Sequence, residues 1–133
     1  MTAASAYVGI PFRIFGRDRD GIDCYGLVRL VLAEQYGVTI PDMWYRTADD
    51  ITEGFAHERA QSYWQPVAPK QALPGDVVVF RVARWPIHCG IMVTPSTFLH
   101  AMPGNTHSVI ESLRSALWQR RILGMYRHEE IAP

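Results

Sequence analysis

The chain reads as an α+β domain in which N-terminal helices pack on an antiparallel sheet, and three observations predict it. Before Gln65 the apolar residues recur at helical spacing, whereas after Asp76 they fall in short β-branched runs. Three prolines between Gln65 and Asp76 mark the change of period as a hinge in topology. The later runs are separated by stretches too short for helical crossovers, which calls for hairpins and hence antiparallel pairing. A chain of 133 residues, 48% apolar and 20% charged, is expected to form one domain over residues 1–133.

The first helix is predicted from Cys24 to Tyr36. Leu27, Val28, Leu30, Val31 and Leu32 make it apolar nearly all round and therefore buried. Asp23 suits its N-cap, and Gly37 suits a left-handed C-terminal residue. A second helix is expected from Asp49 to Tyr63, opened by Thr47, Asp49 and Asp50. Leu73-Pro74-Gly75-Asp76 reads as a tight turn. Strands should follow at Val77–Val82, His88–Val93, Thr97–Ala101, Ser108–Leu113 and Ile122–Arg127, arranged as a meander. The alternating run Arg17-Asp18-Arg19-Asp20 reads as a solvated loop. Trp44, Trp64, Trp85 and Trp118 are expected in core or half-exposed packing.

Composition excludes several classes of function. Thirteen basic residues balance thirteen acidic ones, so no net field favours nucleic acid or an anionic membrane. No apolar stretch approaches the roughly 20 residues that span a bilayer. Met1–Ile10 lacks the basic start and apolar run of an export signal. Synthesis in the cytoplasm is therefore expected, and with it two reduced cysteines, Cys24 and Cys89.

Cys24 falls in the predicted first turn of the buried helix, where free N–H groups and the helix dipole favour a thiolate. Gly21 and Gly26 flank it and allow close backbone approach. A thiol nucleophile needs a base, and His88 opens an apolar strand. If Thr94-Pro95-Ser96 is a three-residue loop, Val93 faces Thr97, Gly90 faces His100 and His88 faces Met102. The two imidazoles then share one face as diagonal neighbours, with Cα atoms about 7–8 Å apart. One would take the thiol proton while the other fixes its tautomer. A zinc site of Cys24, His88, Cys89 and His100 fits badly, because adjacent strand residues point to opposite faces. Cys89 is expected in the core, and no metal or cofactor is called for. His57, His107 and His128 receive no chemical role, and Trp85, beside Pro86, is expected to border a cleft.

Five segments occur in an order that is similar to one family: Gly9-Ile10-Pro11-Phe12-Arg13, Asp23-Cys24-Tyr25-Gly26-Leu27-Val28, Leu73-Pro74-Gly75-Asp76-Val77-Val78, His88-Cys89-Gly90-Ile91 and Phe98-Leu99-His100-Ala101. The sequence resembles the NlpC/P60 cysteine peptidases, most closely the branch found in phage and prophage tails, of the lambda tail-tip type. The resemblance implies a papain-like fold, Cys24 as nucleophile, His88 as general base and acid, and His100 as its orienting residue. It also implies a peptidoglycan stem peptide as substrate, cut between γ-D-glutamyl and diaminopimelyl or lysyl residues, with phage tail proteins as partners. The expected location is the virion tail, acting at the cell wall. Phe12 stands where many members carry a tyrosine, and Tyr25 where serine or tryptophan is common. Phe12, Asp23, Tyr25 and Trp85 are the expected substrate-binding residues. Rival readings are a catalytically silent tail-assembly protein and a thiol amidase or acyltransferase acting on another substrate.

Overall fold

The computed structural model describes residues 4–82 and 85–131, and the side chains of Trp85 and Pro86 fall outside that description. Two short strands, β1 (Arg17–Asp18) and β2 (Gly21–Ile22), form a hairpin that leads directly into helix α1, Cys24–Tyr36. The α1 boundaries follow from its caps. Asp23 is extended and accepts a hydrogen bond from the Gly26 N–H, and Gly37 (φ 65°) closes the last turn by donating to the Leu32 carbonyl. Helix α2, Ala48–Arg59, opens with a capping box between Thr47 and Asp50. It stops at Arg59 rather than at Tyr63. The chain turns back there because the Tyr63 hydroxyl and the Trp64 indole both donate to buried Glu58, at 2.5 and 2.8 Å.

Six strands form the main sheet: β3 (Trp64–Pro66), β4 (Val77–Val82), β5 (Trp85–Thr94), β6 (Thr97–His100), β7 (Val109–Ser112) and β8 (Ile122–His128), in the order β3-β8-β4-β5-β6-β7. Strands β4 to β7 make the expected meander, but β8 does not continue it. After the short helix α3 (Ala116–Gln119) the chain returns to the other side of β4, where β8 inserts antiparallel between β4 and the edge strand β3. That placement lets Arg127 reach buried Asp76 with two hydrogen bonds, at 2.7 and 2.9 Å. His128, at the end of β8, is buried against Tyr63 and Trp64.

The β5–β6 turn also differs from expectation. Thr94 pairs with Thr97 around a two-residue Pro95-Ser96 turn, and the register shifts between Met92 and Thr94, so Val93 does not face Thr97. The Thr94 hydroxyl stabilises this tighter turn by accepting from the Thr97 N–H at 3.0 Å. Beyond the shift Met92 pairs with Phe98 and Ile91 with Leu99, the register that brings His100 level with Gly90. The β6 strand ends at His100, so the expected His88–Met102 pair is not formed.

The sheet has a buried cluster on each face. Helix α1 covers Cys89, Ile91 and Leu99, while Trp118 closes the opposite face over Phe80, Met92, Phe98 and Met125. Trp64 and Trp118 are core residues, but Trp44 is 68% exposed.

Candidate active site

Cys24 is the first residue of α1, and the β1–β2 hairpin lies against its first turn. The fit depends on two glycines: a Cβ on Gly26 would stand 2.2 Å from the Gly16 carbonyl oxygen, and one on Gly16 2.1 Å from the Gly21 carbonyl oxygen. The Cys24 side chain is only 2% exposed and shares the α1 cluster with Cys89. His88 on β5 and His100 on β6 are buried on the Phe80–Phe98–Trp118 side. The same-face placement expected of the two imidazoles is present, and His88 Nε2 is hydrogen-bonded to His100 Nδ1 at 2.7 Å.

With Nε2 engaged, His88 Nδ1 is the ring atom left for the thiol proton. It is buried and has no fixed hydrogen-bond partner. The Cys24 thiol is held well below its ordinary range by hydrogen bonding to Cys89 first, then, against the opposing effect of burial, by neighbouring His88. Burial pushes the Cys89 thiol up, and its contact with Cys24 adds to this. One sulfur is therefore disposed to be thiolate and the other to remain a neutral donor. Burial, then the charge of His88, pushes His100 down to about 4, so the orienting ring is neutral in the physiological range.

Two groups at this site were not identified from the sequence. Cys89 is core, as expected, yet it also reaches Cys24: β5 passes the end of α1 so that side chains from both of its faces border the thiol. Glu111 on β7 receives a hydrogen bond from His100 Nε2 at 2.5 Å and from the Trp118 indole at 3.3 Å. An acidic residue on a strand face shared with His100 is a readable signal. The register needed to see it is hidden by the loop from Ala101 to Ser108, across which His100 pairs with Val109.

The residues expected to bind substrate separate. Asp23 is completely buried and already engaged: it accepts from the Gly26 and Phe15 N–H groups, pairs with Arg17 at 2.7 Å and receives the Tyr45 hydroxyl. It therefore caps the helix and anchors the hairpin rather than facing a ligand, and Arg17 is a half-buried ion-pair member rather than part of a solvated loop. Burial, and next the charge of Cys24, push the Asp23 carboxyl up from its ordinary value. Tyr25 is buried too, its hydroxyl donating to the Pro41 carbonyl at 2.5 Å and its ring edge-on to Phe55. Phe12 bridges Ile22 and packs half-buried against the α1 cluster, which keeps it beside the segment that enters Cys24. The Trp85 side chain lies outside the described residues. Among the described residues, no group of three or more His, Cys, Asp or Glu is arranged to hold a metal ion.

A thiol at a helix N-terminus, bordered by a hydrogen-bonded histidine pair from an antiparallel sheet, defines an α+β domain built like a cysteine hydrolase. Residues 9–127 match the NlpC/P60 family model, and the chain belongs to that family. It is 27% identical over 121 residues to the Escherichia coli murein DD-endopeptidase MepS/murein LD-carboxypeptidase, covering 91% of this chain and 57% of the relative. It is 29% identical to the γ-DL-glutamyl hydrolase of Bacillus subtilis, covering 96% of this chain and 28% of that one. A solved NlpC/P60 family protein from Bacillus cereus shares the fold with a TM-score of 0.70 at 16% identity, over 96% of this chain and 38% of its own. The chain thus spans little more than half the length of MepS and a smaller part of the other two.

Proposed function

We propose that the protein is a cysteine endopeptidase that cleaves peptidoglycan stem peptides at the γ-D-glutamyl bond to diaminopimelate or lysine. The observation that carries the reading is the buried Cys24, His88 and His100 arrangement, in which the one unpartnered ring nitrogen of His88 is available to the thiol. The names of the murein endopeptidase and γ-DL-glutamyl hydrolase relatives support the substrate class and the γ-linkage. Association with a phage or phage-like tail, and delivery by it to the cell wall, rests on the resemblance to the tail branch of the family.

In this mechanism the Cys24 thiol passes its proton to His88 Nδ1, and the thiolate attacks the amide carbonyl. The oxyanion is stabilised by the Cys24 backbone N–H at the first turn of α1 together with a second donor. His88 then protonates the leaving amine as the C–N bond breaks, and water hydrolyses the thioester to free the acid and the thiol. The test is mass spectrometry of purified sacculi and defined stem peptides after incubation with wild-type protein and with Cys24→Ala. New termini within the stem, produced by wild type alone, are expected. Release by both proteins would overturn the mechanism, and release by neither would favour a silent tail-assembly protein.

A further inference from the structure

The hydrogen-bonded path from Cys24 does not end at His100. Glu111 takes the His100 Nε2 hydrogen on one carboxylate oxygen and the Trp118 indole hydrogen on the other. The indole can only donate, so Oε1 must accept, and an ionised carboxylate accepts on its second oxygen as well. His100 then carries its hydrogen on Nε2 and presents a bare Nδ1. His88 must donate to that Nδ1 from Nε2, which strips the hydrogen from its own Nδ1 in the neutral ring. This is the buried, unpartnered nitrogen.

Resting on the reading of Cys24 as nucleophile and His88 as its base, we propose that Glu111 is a positioning residue that sets the tautomers of both histidines and bares His88 Nδ1 for the thiol proton. Its charge also stabilises the imidazolium formed on His88 when that proton arrives, across the single intervening ring of His100. The carboxylate is 37% exposed while His100 is fully buried, so Glu111 joins the interior relay to the rim of the domain. An amide at this position conflicts with the relay. Its oxygen can satisfy either Trp118 or His100; if it turns to the indole, its NH2 meets His100 Nε2 and reverses every donor in the path. His88 would then carry hydrogen on Nδ1 and could not accept another as a neutral base.

The charged and titratable groups around Cys24 are Asp23 with its partners Arg17 and Tyr45 on the helix side and Cys89 and His88 on β5, with His100 and Glu111 hydrogen-bonded in series beyond His88. Of these, Glu111→Gln changes only the last. The measurement is the rate of iodoacetamide alkylation at Cys24 against pH, read by mass on the Cys24 peptide, for wild type, Glu111→Gln and Glu111→Ala. Thermal unfolding is recorded alongside. With Glu111→Gln the alkylation midpoint is expected to move up by about one pH unit, so that Cys24 reacts about tenfold more slowly below both midpoints. Glu111→Ala admits water that can accept from His100 Nε2, so its shift should be smaller than that of Gln. A structural role alone predicts the opposite order of damage, with Ala worse in melting temperature and the alkylation profile unmoved in both. Unchanged profiles in two folded variants would overturn the proposal. If Glu111→Gln does not fold, the Ala variant and the histidine 15N shifts of the wild type, which report tautomers directly, decide it. Thiol ionisation is read without any substrate, so a failure of peptidase activity leaves this outcome distinct.

Discussion

Cys89 carries the strongest single influence on the Cys24 sulfur, and it comes from a residue that by type belongs to the core. A neutral thiol donating to a thiolate stabilises the anion without adding a charge, which suits a buried site where a second ion would be costly. Cys89→Ala removes that donor while His88 stays. The Cys24 alkylation midpoint should therefore rise, because desolvation is then opposed only by His88 and the backbone N–H of residue 89. The loss of one sulfur from a buried cluster should also lower stability by about 1 kcal/mol. Parallel pH–alkylation and urea-unfolding curves separate the two effects, and an unmoved midpoint would show that the contact does not tune the nucleophile. Asp23 shows the reverse case. Its place next to Cys24 invites a substrate role, but complete burial with four hydrogen-bonding partners leaves it no capacity for a ligand.

At the scale of elements, the entry to α1 is decided by backbone contact rather than by helix propensity. Alanine is the better helix former than glycine by about 1 kcal/mol, so propensity alone predicts that Gly26→Ala stabilises α1. The Cβ would, however, meet the Gly16 carbonyl at 2.2 Å, and backbone cannot give way as a side-chain tip does. Net destabilisation of about 1–3 kcal/mol is expected from overpacking. Displacement of the β1–β2 hairpin should disturb the Cys24 turn as well. Denaturant midpoint together with Cys24 alkylation checks this, and a stabilised variant would sink the argument. What the sequence made legible follows the same division between local and distant causes. The limits of α1 were readable because Asp23 and Gly37 act within a turn of the helix they bound. The β5–β6 register was readable in its inner part, although the turn tightened and a shift at Val93 restored the pairing beyond it. The return of β8 and the approach of Glu111 to His100 depend on partners brought together across loops, and the end of α2 on Glu58 as a buried acceptor for Tyr63 and Trp64, none of which a periodicity reports.

For the whole molecule, a buried neutral histidine makes stability a function of pH. His100 is held at about 4 in the folded chain against 6.5 for the unperturbed ring. Between those values the unfolded chain binds a proton that the folded chain refuses, so stability falls as pH drops from 6.5 toward 4. The slope from this ring alone approaches about 1.4 kcal/mol per pH unit within the window. Asp23 works in the opposite direction, since its raised carboxyl lets the folded state take a proton first as pH falls toward the carboxylate range. Asp42 and Glu34, lowered by their arginine partners, lose their contribution only as pH falls through the carboxylate range. The Cys24 thiol, held far below its ordinary 9.0, also loses its contribution as pH falls, so the His100 share is the part of the loss between pH 6.5 and 5 that disappears when that ring is replaced. Urea unfolding of the wild type at pH 7, 6 and 5 should show a falling midpoint. His100→Gln, which keeps polar atoms near His88 and Glu111 but does not titrate, should begin less stable at pH 7 and lose less on acidification. If both proteins lose the same amount over that interval, the acid sensitivity belongs to other groups and the buried relay is not what limits the molecule at low pH.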